Sequence, residues 1–132
     1  MIGLDTNILV RYITQDEPAQ TELVNRFMEE QLTEQEPAVI SHIVLCEVAW
    51  VLSRAYHYSR QQVGEVIHSI LTCREFSVES ADLAILAWQD YLQGHADFSD
   101  YLLSRVHQCL GASYTLTFDR KAAHSGLFQL LQ

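Results

Sequence analysis

Short apolar runs alternate with helical periodicity along this chain. Residues 2–4 (Ile-Gly-Leu) form the first run, Asp5-Thr6-Asn7 follow it, and 8–13 can open a helix capped by Thr6 or Asn7. Beyond Asp16-Glu17-Pro18, residues 19–32 place Leu23, Val24, Phe27, Met28 and Leu32 at a 3.6-residue period, which predicts an amphipathic helix. Pro37 breaks it, and Ala38-Val39-Ile40 reads as a short buried strand. Ser41 is placed to cap a helix over 42–56, and Ser59 another over 60–72 whose apolar face holds Val63, Val66, Ile67, Ile70 and Leu71. Phe76-Ser77-Val78 predicts a strand, Ser80 a cap for a helix over 81–93, and Gly94-His95-Ala96 a loop. A further helix over 98–110 ends near Gly111, residues 114–118 alternate like a strand, and 128–131 predict a last edge strand. Strands alternating with helices imply the α/β class, a three-layer α/β/α sandwich around a short, mostly parallel sheet. No repeat, low-complexity tract or linker divides the chain, so 1–132 reads as a single domain long enough to bury a core.

Composition changes this picture only where charge enters. With 48% apolar and 19% charged residues, the balance is that of a globular protein and argues against disorder. No apolar run reaches the roughly 18–20 residues that span a membrane. The start, MIGLDTNILVRY, lacks the basic region of a signal peptide. Cys46, Cys73 and Cys109 form no CxxC pair and read as buried thiols of a reducing compartment, which makes the cytoplasm the expected location. A net charge of −9, with seven Arg and one Lys, is awkward for a protein that binds phosphates. Either nucleic acid is not the substrate, or some of the acids form a site that metal ions neutralise.

The positions of the acids help to choose. Asp5 stands one residue past the first apolar run and Asp119 one past the strand at 114–118. In a parallel α/β sheet, ligands bind beyond the carboxyl ends of the strands, so the two acids would share a crevice if those strands were neighbours. A lone Asp there is as a rule only a helix cap; two at equivalent places weaken that reading. Glu47 has Ile43, Val44, Trp50 and Val51 three and four positions away, an apolar face that predicts a carboxylate shut off from water. The alternative for Glu47 is a buried salt bridge. Asp97 and Asp100 lie one turn apart at a helix start, where they repel unless a cation joins them, or where Asp97 is an N-cap with Asp100 at N3. Ser104, one turn on, is either a helper to a metal-bound water or plain helix surface.

Oxygen-only ligands select hard cations such as Mg²⁺ or Mn²⁺. A pair of such ions activates water and steadies the leaving oxygen of an in-line phosphoryl displacement. Other constellations are poorer. His42 and Cys46 are four apart with no second pair to complete a soft-metal site, and the six histidines show no ligand spacing. No GxSxG, GxGxxG or Walker A motif occurs. A haloacid-dehalogenase-like phosphatase needs an acid two residues after its nucleophile, where this chain has Asn7. A non-catalytic binding module, its acids only caps and ion pairs, remains the other alternative.

LDTNILVRY at the start, VLCEVAW around Glu47, ADFSDYLL around Asp100 and LTFDRKA around Asp119 together resemble a PIN domain, closest in look to the VapC-type toxins of bacterial toxin–antitoxin pairs. The resemblance spans essentially the whole chain. It implies a Mg²⁺- or Mn²⁺-dependent single-strand endoribonuclease, with Asp5, Glu47 and Asp100 as core metal-binding and catalytic acids, Asp119 as a more variable fourth, and Asp97 as an auxiliary metal ligand. Thr6 and Asn7 follow the first acid as in many relatives, where a polar side chain steadies the cluster. It also implies a homodimer, a cognate antitoxin that inserts a segment near the acids, and contact with operator DNA only through that antitoxin. For substrate phosphates the nearest basic residues are Arg11, Arg105, Arg120 and Lys121; Arg11 or Arg105 is equally placed to be a structural counter-ion.

Overall fold

The computed structural model describes every residue, Met1–Gln132. Chain contacts group into two units, Met1–Glu79 and Ser80–Gln132. The first holds β1 (Ile2–Gly3), α1 (Thr6–Thr14), α2 (Pro18–Gln31), β2 (Ala38–Ile40), α3 (His42–Arg54), α4 (Arg60–Thr72) and β3 (Phe76–Val78). The second holds α5 (Ala81–Gln93), α6 (Phe98–Cys109), β4 (Thr115–Thr117), α7 (Arg120–Ala123) and β5 (Phe128–Leu130). The α/β class with short parallel strands is therefore as expected, and element positions agree with the periodicity to within a few residues.

In the first unit β2 lies between β1 and β3, all parallel, with Ala38 opposite both Ile2 and Phe76. Its central place explains why Ala38 and Ile40 are buried on a strand of three residues. Backbone bonds from Leu4 N to Val39 O (3.1 Å) and Glu79 N to Ile40 O (2.9 Å) extend the ladder towards its carboxyl edge. The helices close over this sheet with Leu9, Leu45, Val48, Leu52 and Ile67, each essentially without exposed surface. A side chain of that size contributes roughly 1.5–3 kcal/mol on full burial. In the second unit β4 and β5 pair in parallel, Thr115 opposite Phe128. β1 and β4, whose adjacency would bring Asp5 and Asp119 to one crevice, thus each hydrogen-bond to a strand of their own unit. Apolar runs of two or three residues carry too little pattern to name their ladder partner.

Capping chemistry explains most helix starts. Ser41 Oγ accepts from Val44 N (3.2 Å) and Ser59 caps α4, both as the sequence predicts; the structure adds a full capping box between Ser59 and Gln62. Three starts differ. α1 begins at Thr6, and Asp5 rather than Thr6 or Asn7 is its cap. Ser80 occupies the N-cap of α5 but makes no capping bond, because its backbone sits at φ 39°, ψ 59°. The four-residue α7 after Asp119 is too short to show a period.

α5 and α6 form a tight antiparallel pair. Tyr91 meets Phe98 edge to face at 6.1 Å between ring centres. Asp90 receives both Arg105 Nε (2.7 Å) and Nη2 (2.8 Å), a bidentate pair whose side chains are about four-fifths buried. Arg105→Ala leaves that carboxylate without its partner, and an expected loss of about 1–3 kcal/mol should appear as a lower urea midpoint.

Candidate active site

In the first unit, the carboxyl ends of the strands are furnished by Asp5 after β1, Ser41 after β2 and Glu79 after β3. Asp5 Oδ1 accepts the Thr6 N–H at 2.7 Å, so one carboxylate oxygen is used as a helix cap and the other is left over. Beside it, the buried Thr6 Oγ1 has no hydrogen-bond partner, while Asn7 is exposed. Glu79, absent from the motifs read in the sequence, accepts the His42 N–H at 2.8 Å. Together with Ser41 it anchors the start of α3, the helix that carries Glu47. No spacing signal marks Glu79, because its role depends on β3 lying next to β2.

Glu47 requires a correction. Its surroundings do not shut it off from water: Glu47 is exposed, with Ile43 72% and Trp50 59% exposed on the same face. α3 buries Leu45, Val48, Ala49 and Leu52 instead, the stripe that meets the core. The helix is apolar on both faces, and periodicity alone cannot say which one is covered. Glu47 makes neither a hydrogen bond nor an ion pair, so the buried salt bridge is absent too. One turn on, the Arg54 guanidinium lies over the Trp50 ring at 5.8 Å.

In the second unit Asp100 lies within electrostatic reach of two further acids, Asp97 and Asp119. Asp100, half-buried on the first turn of α6, has its carboxyl pushed above the usual Asp range by burial first, and then by the charges of Asp97 and Asp119. Asp97 stands at the N-cap of α6, yet its side chain makes no capping bond, so the capping-box alternative is not realised. Asp119 caps α7 through one oxygen, accepting from Lys121 N at 2.8 Å. Ser104 is neither surface nor free to assist a water: it is 2% exposed and donates to the Tyr101 carbonyl at 2.8 Å. Of the basic residues, Arg105 is the counter-ion of Asp90. Arg11 is engaged by Asp16 (3.0 Å), Gln20 (2.7 Å) and Tyr56 (3.0 Å). Arg120 and Lys121 are exposed and stand in no ion pair.

The acids share one property across both units. Asp5, Glu47, Asp97, Asp100 and Asp119 take part in no salt bridge, a property they share with several other surface acids, while Asp16, Glu22, Glu34, Glu36 and Asp90 are paired. Within neither unit do three metal-binding side chains already converge on one point. In each unit the chemistry of the donors suits a hard dication: in the first, a free carboxylate oxygen of Asp5 beside an unpartnered hydroxyl; in the second, a half-buried Asp100 that feels the charges of Asp97 and Asp119. The strain at Asp100 has a measurable sign. Below about pH 3.9, the ordinary Asp value, folded and unfolded chains both carry the neutral acid and no penalty exists. The penalty grows as pH rises through the elevated folded-state pKa and is complete at neutral pH. Asp100→Asn should therefore stabilise the metal-free protein at pH 7, by no more than about 1 kcal/mol after solvent screening. That gain should vanish in melts at pH 3, and an equal midpoint for the two proteins at pH 7 would count against the repulsion.

Comparison with known proteins places these acids in a family: the chain belongs to the PIN domain family, whose model matches residues 2–124. It is similar to a protein described as VapC ribonuclease from Aquifex aeolicus (strain VF5), 26% identical over 118 residues that cover 89% of this chain and 87% of the relative. No solved structure matches the chain significantly. No helix is long and apolar enough to cross a membrane.

Proposed function

We propose that this chain is one nuclease domain, spanning both units, that cuts single-stranded RNA with Mg²⁺ or Mn²⁺ as the toxin of a toxin–antitoxin pair. The observation that carries the reading is the PIN family match, which spans all five acids, none of them neutralised by a cation of the chain. When bound, a divalent ion supplies the charge that offsets the phosphodiester and lowers the pKa of an attacking water. Asp5, Glu47 and Asp100 hold the metal, Asp119 adds a fourth carboxylate, and Asp97 is an auxiliary ligand rather than a cap. Arg120 and Lys121 steady flanking phosphates by charge, without reading sequence. Arg11, held by three side chains, mainly fixes α1 and is the weaker candidate for phosphate.

The relative's name supports an antitoxin partner, and the exposed Ile43 and Trp50 beside Glu47 offer apolar surface for it. A homodimer, a cytoplasmic location and operator binding only through the antitoxin complete the proposal; an acidic chain is poorly suited to holding DNA alone. Purified protein is expected to cleave a single-stranded RNA with Mn²⁺ or Mg²⁺ and to stop on addition of EDTA. Calorimetry that detects no binding of either ion at millimolar concentration would favour a non-catalytic module instead.

A further inference from the structure

The second unit holds a cleft of about 560 Å³, whose wall includes His95, Tyr101, Lys121, His124 and Ser125, three of them within two residues of its acids. We infer that this cleft is a subsite for a backbone phosphate of the RNA strand, flanking the bond that is cut; the assignment rests on the nuclease reading above.

The lining decides the ligand class. Asp90 also borders the cleft, but both of its oxygens are taken by Arg105. What remains is rich in donors. Lys121 is the single lysine of an acidic chain, and it stands in no ion pair. Two imidazoles face the same space, and each has an N–H to give in either tautomer. The Tyr101 hydroxyl accepts from Ala96 N at 3.2 Å, and no protein group accepts its own hydrogen. A cation would meet Lys121, and an apolar group would strand these donors without acceptors. A compact anion with several acceptor oxygens satisfies them.

Chain position ties the cleft to the acids. His95 precedes Asp97 by two residues, Tyr101 follows Asp100, and Lys121 follows Asp119 by two. The donors thus stand on the same short segments as those carboxylates, so a strand bound at the acids is within reach of the cleft, where the donors grip its backbone and not its bases. Sequence spacing gives no hint of this, because His95 and His124 are brought together only by folding.

The test uses the full chain, labelled with ¹⁵N at histidine and kept in EDTA so that no strand is cut. Inorganic phosphate should shift the His95 and His124 ring signals saturably with one common Kd, while His68 on α4 stays still. A short single-stranded RNA should shift the same two rings, and its neutral methylphosphonate analogue should not. Lys121→Ala/His124→Ala, two exposed positions, should weaken RNA binding about tenfold, the scale of one charge-assisted contact. It should also flatten the dependence of log K on log salt by about 0.7 for the lost lysine. Rings unmoved by phosphate and RNA, unchanged affinity of the double variant, or an oligoglutamate peptide that shifts the rings as strongly as RNA would each overturn the subsite. Cleavage with Mn²⁺ on the same sample separates the two claims. RNA cut while the rings stay silent removes the subsite alone, and phosphate bound without cleavage removes the nuclease reading alone.

Discussion

Asp5→Asn should yield a folded protein that no longer cuts RNA, with cleavage down by at least about 10³-fold. A loss of that size corresponds to about 4 kcal/mol of transition-state stabilisation. One preorganised neutral donor is worth about 10²–10³ in rate, and a metal-holding charge should be worth no less. The substitution separates chemistry from fold because Asp5 has two duties on two oxygens. Oδ1 caps α1 through Thr6 N, and an Asn carbonyl can accept that bond equally well. What the variant lacks is the second oxygen, replaced by an amide NH2, and with it the negative charge that both carboxylate oxygens share. Circular dichroism and the melting midpoint should therefore stay close to the parent, while Mn²⁺ affinity and cleavage fall together. Asp5→Ala makes the comparison sharper, since it should also lose about 0.5–2 kcal/mol of capping. Undiminished cleavage by Asp5→Asn would remove Asp5 from the metal site.

The second large effect concerns stability. Gly94→Ala, at the turn between α5 and α6, should destabilise the protein by about 3 kcal/mol, at the upper end of overpacking costs. A Cβ at Gly94 would run into the Tyr101 hydroxyl and ring. Tyr101 is 2% exposed and packed into α6, so it cannot swing aside as a flexible chain end would. Gly94 is therefore set by close approach and not by its backbone angles, which lie at φ −111°. A double-mutant cycle tests the cause. Tyr101→Phe deletes the colliding oxygen, so Gly94→Ala should cost about 1–2 kcal/mol less in that background. Additive losses would mean that the cost comes from elsewhere in the turn. The two residues also shape one wall of the donor-lined cleft, so the variant's phosphate affinity should drop with its stability.

Much of this was legible in the chain itself. The helix at residues 60–72 follows from an apolar face and a Ser59 cap, both of which are local. Asp5, Glu47, Asp100 and Asp119 stood out because each falls within a motif, and the family match covers all four. Glu47 shows the limit of that legibility. Ile43, Val44, Trp50 and Val51 suggested a covered face, whereas α3 turns Leu45, Val48, Ala49 and Leu52 to the core and leaves Ile43 and Trp50 open. The burial that the helical spacing predicted for Glu47 is absent, so its proposed role rests on the motif around it alone. Asp97 moved the other way: a spacing that suits a capping box carries no capping bond.

By itself, then, the sequence determined the α/β class and most helix boundaries, and it nominated the acids proposed for the site, since periodicity, capping and motif order act within a few residues of each other. Tertiary structure alone decided which face of α3 is buried, that β1 pairs with β2 and β4 with β5, that Glu79 anchors α3, and that His95 and His124 share a cleft with Lys121. Those outcomes depend on groups distant in the chain meeting in space. Strands of two or three residues and isolated histidines carry no local pattern that could announce the meeting.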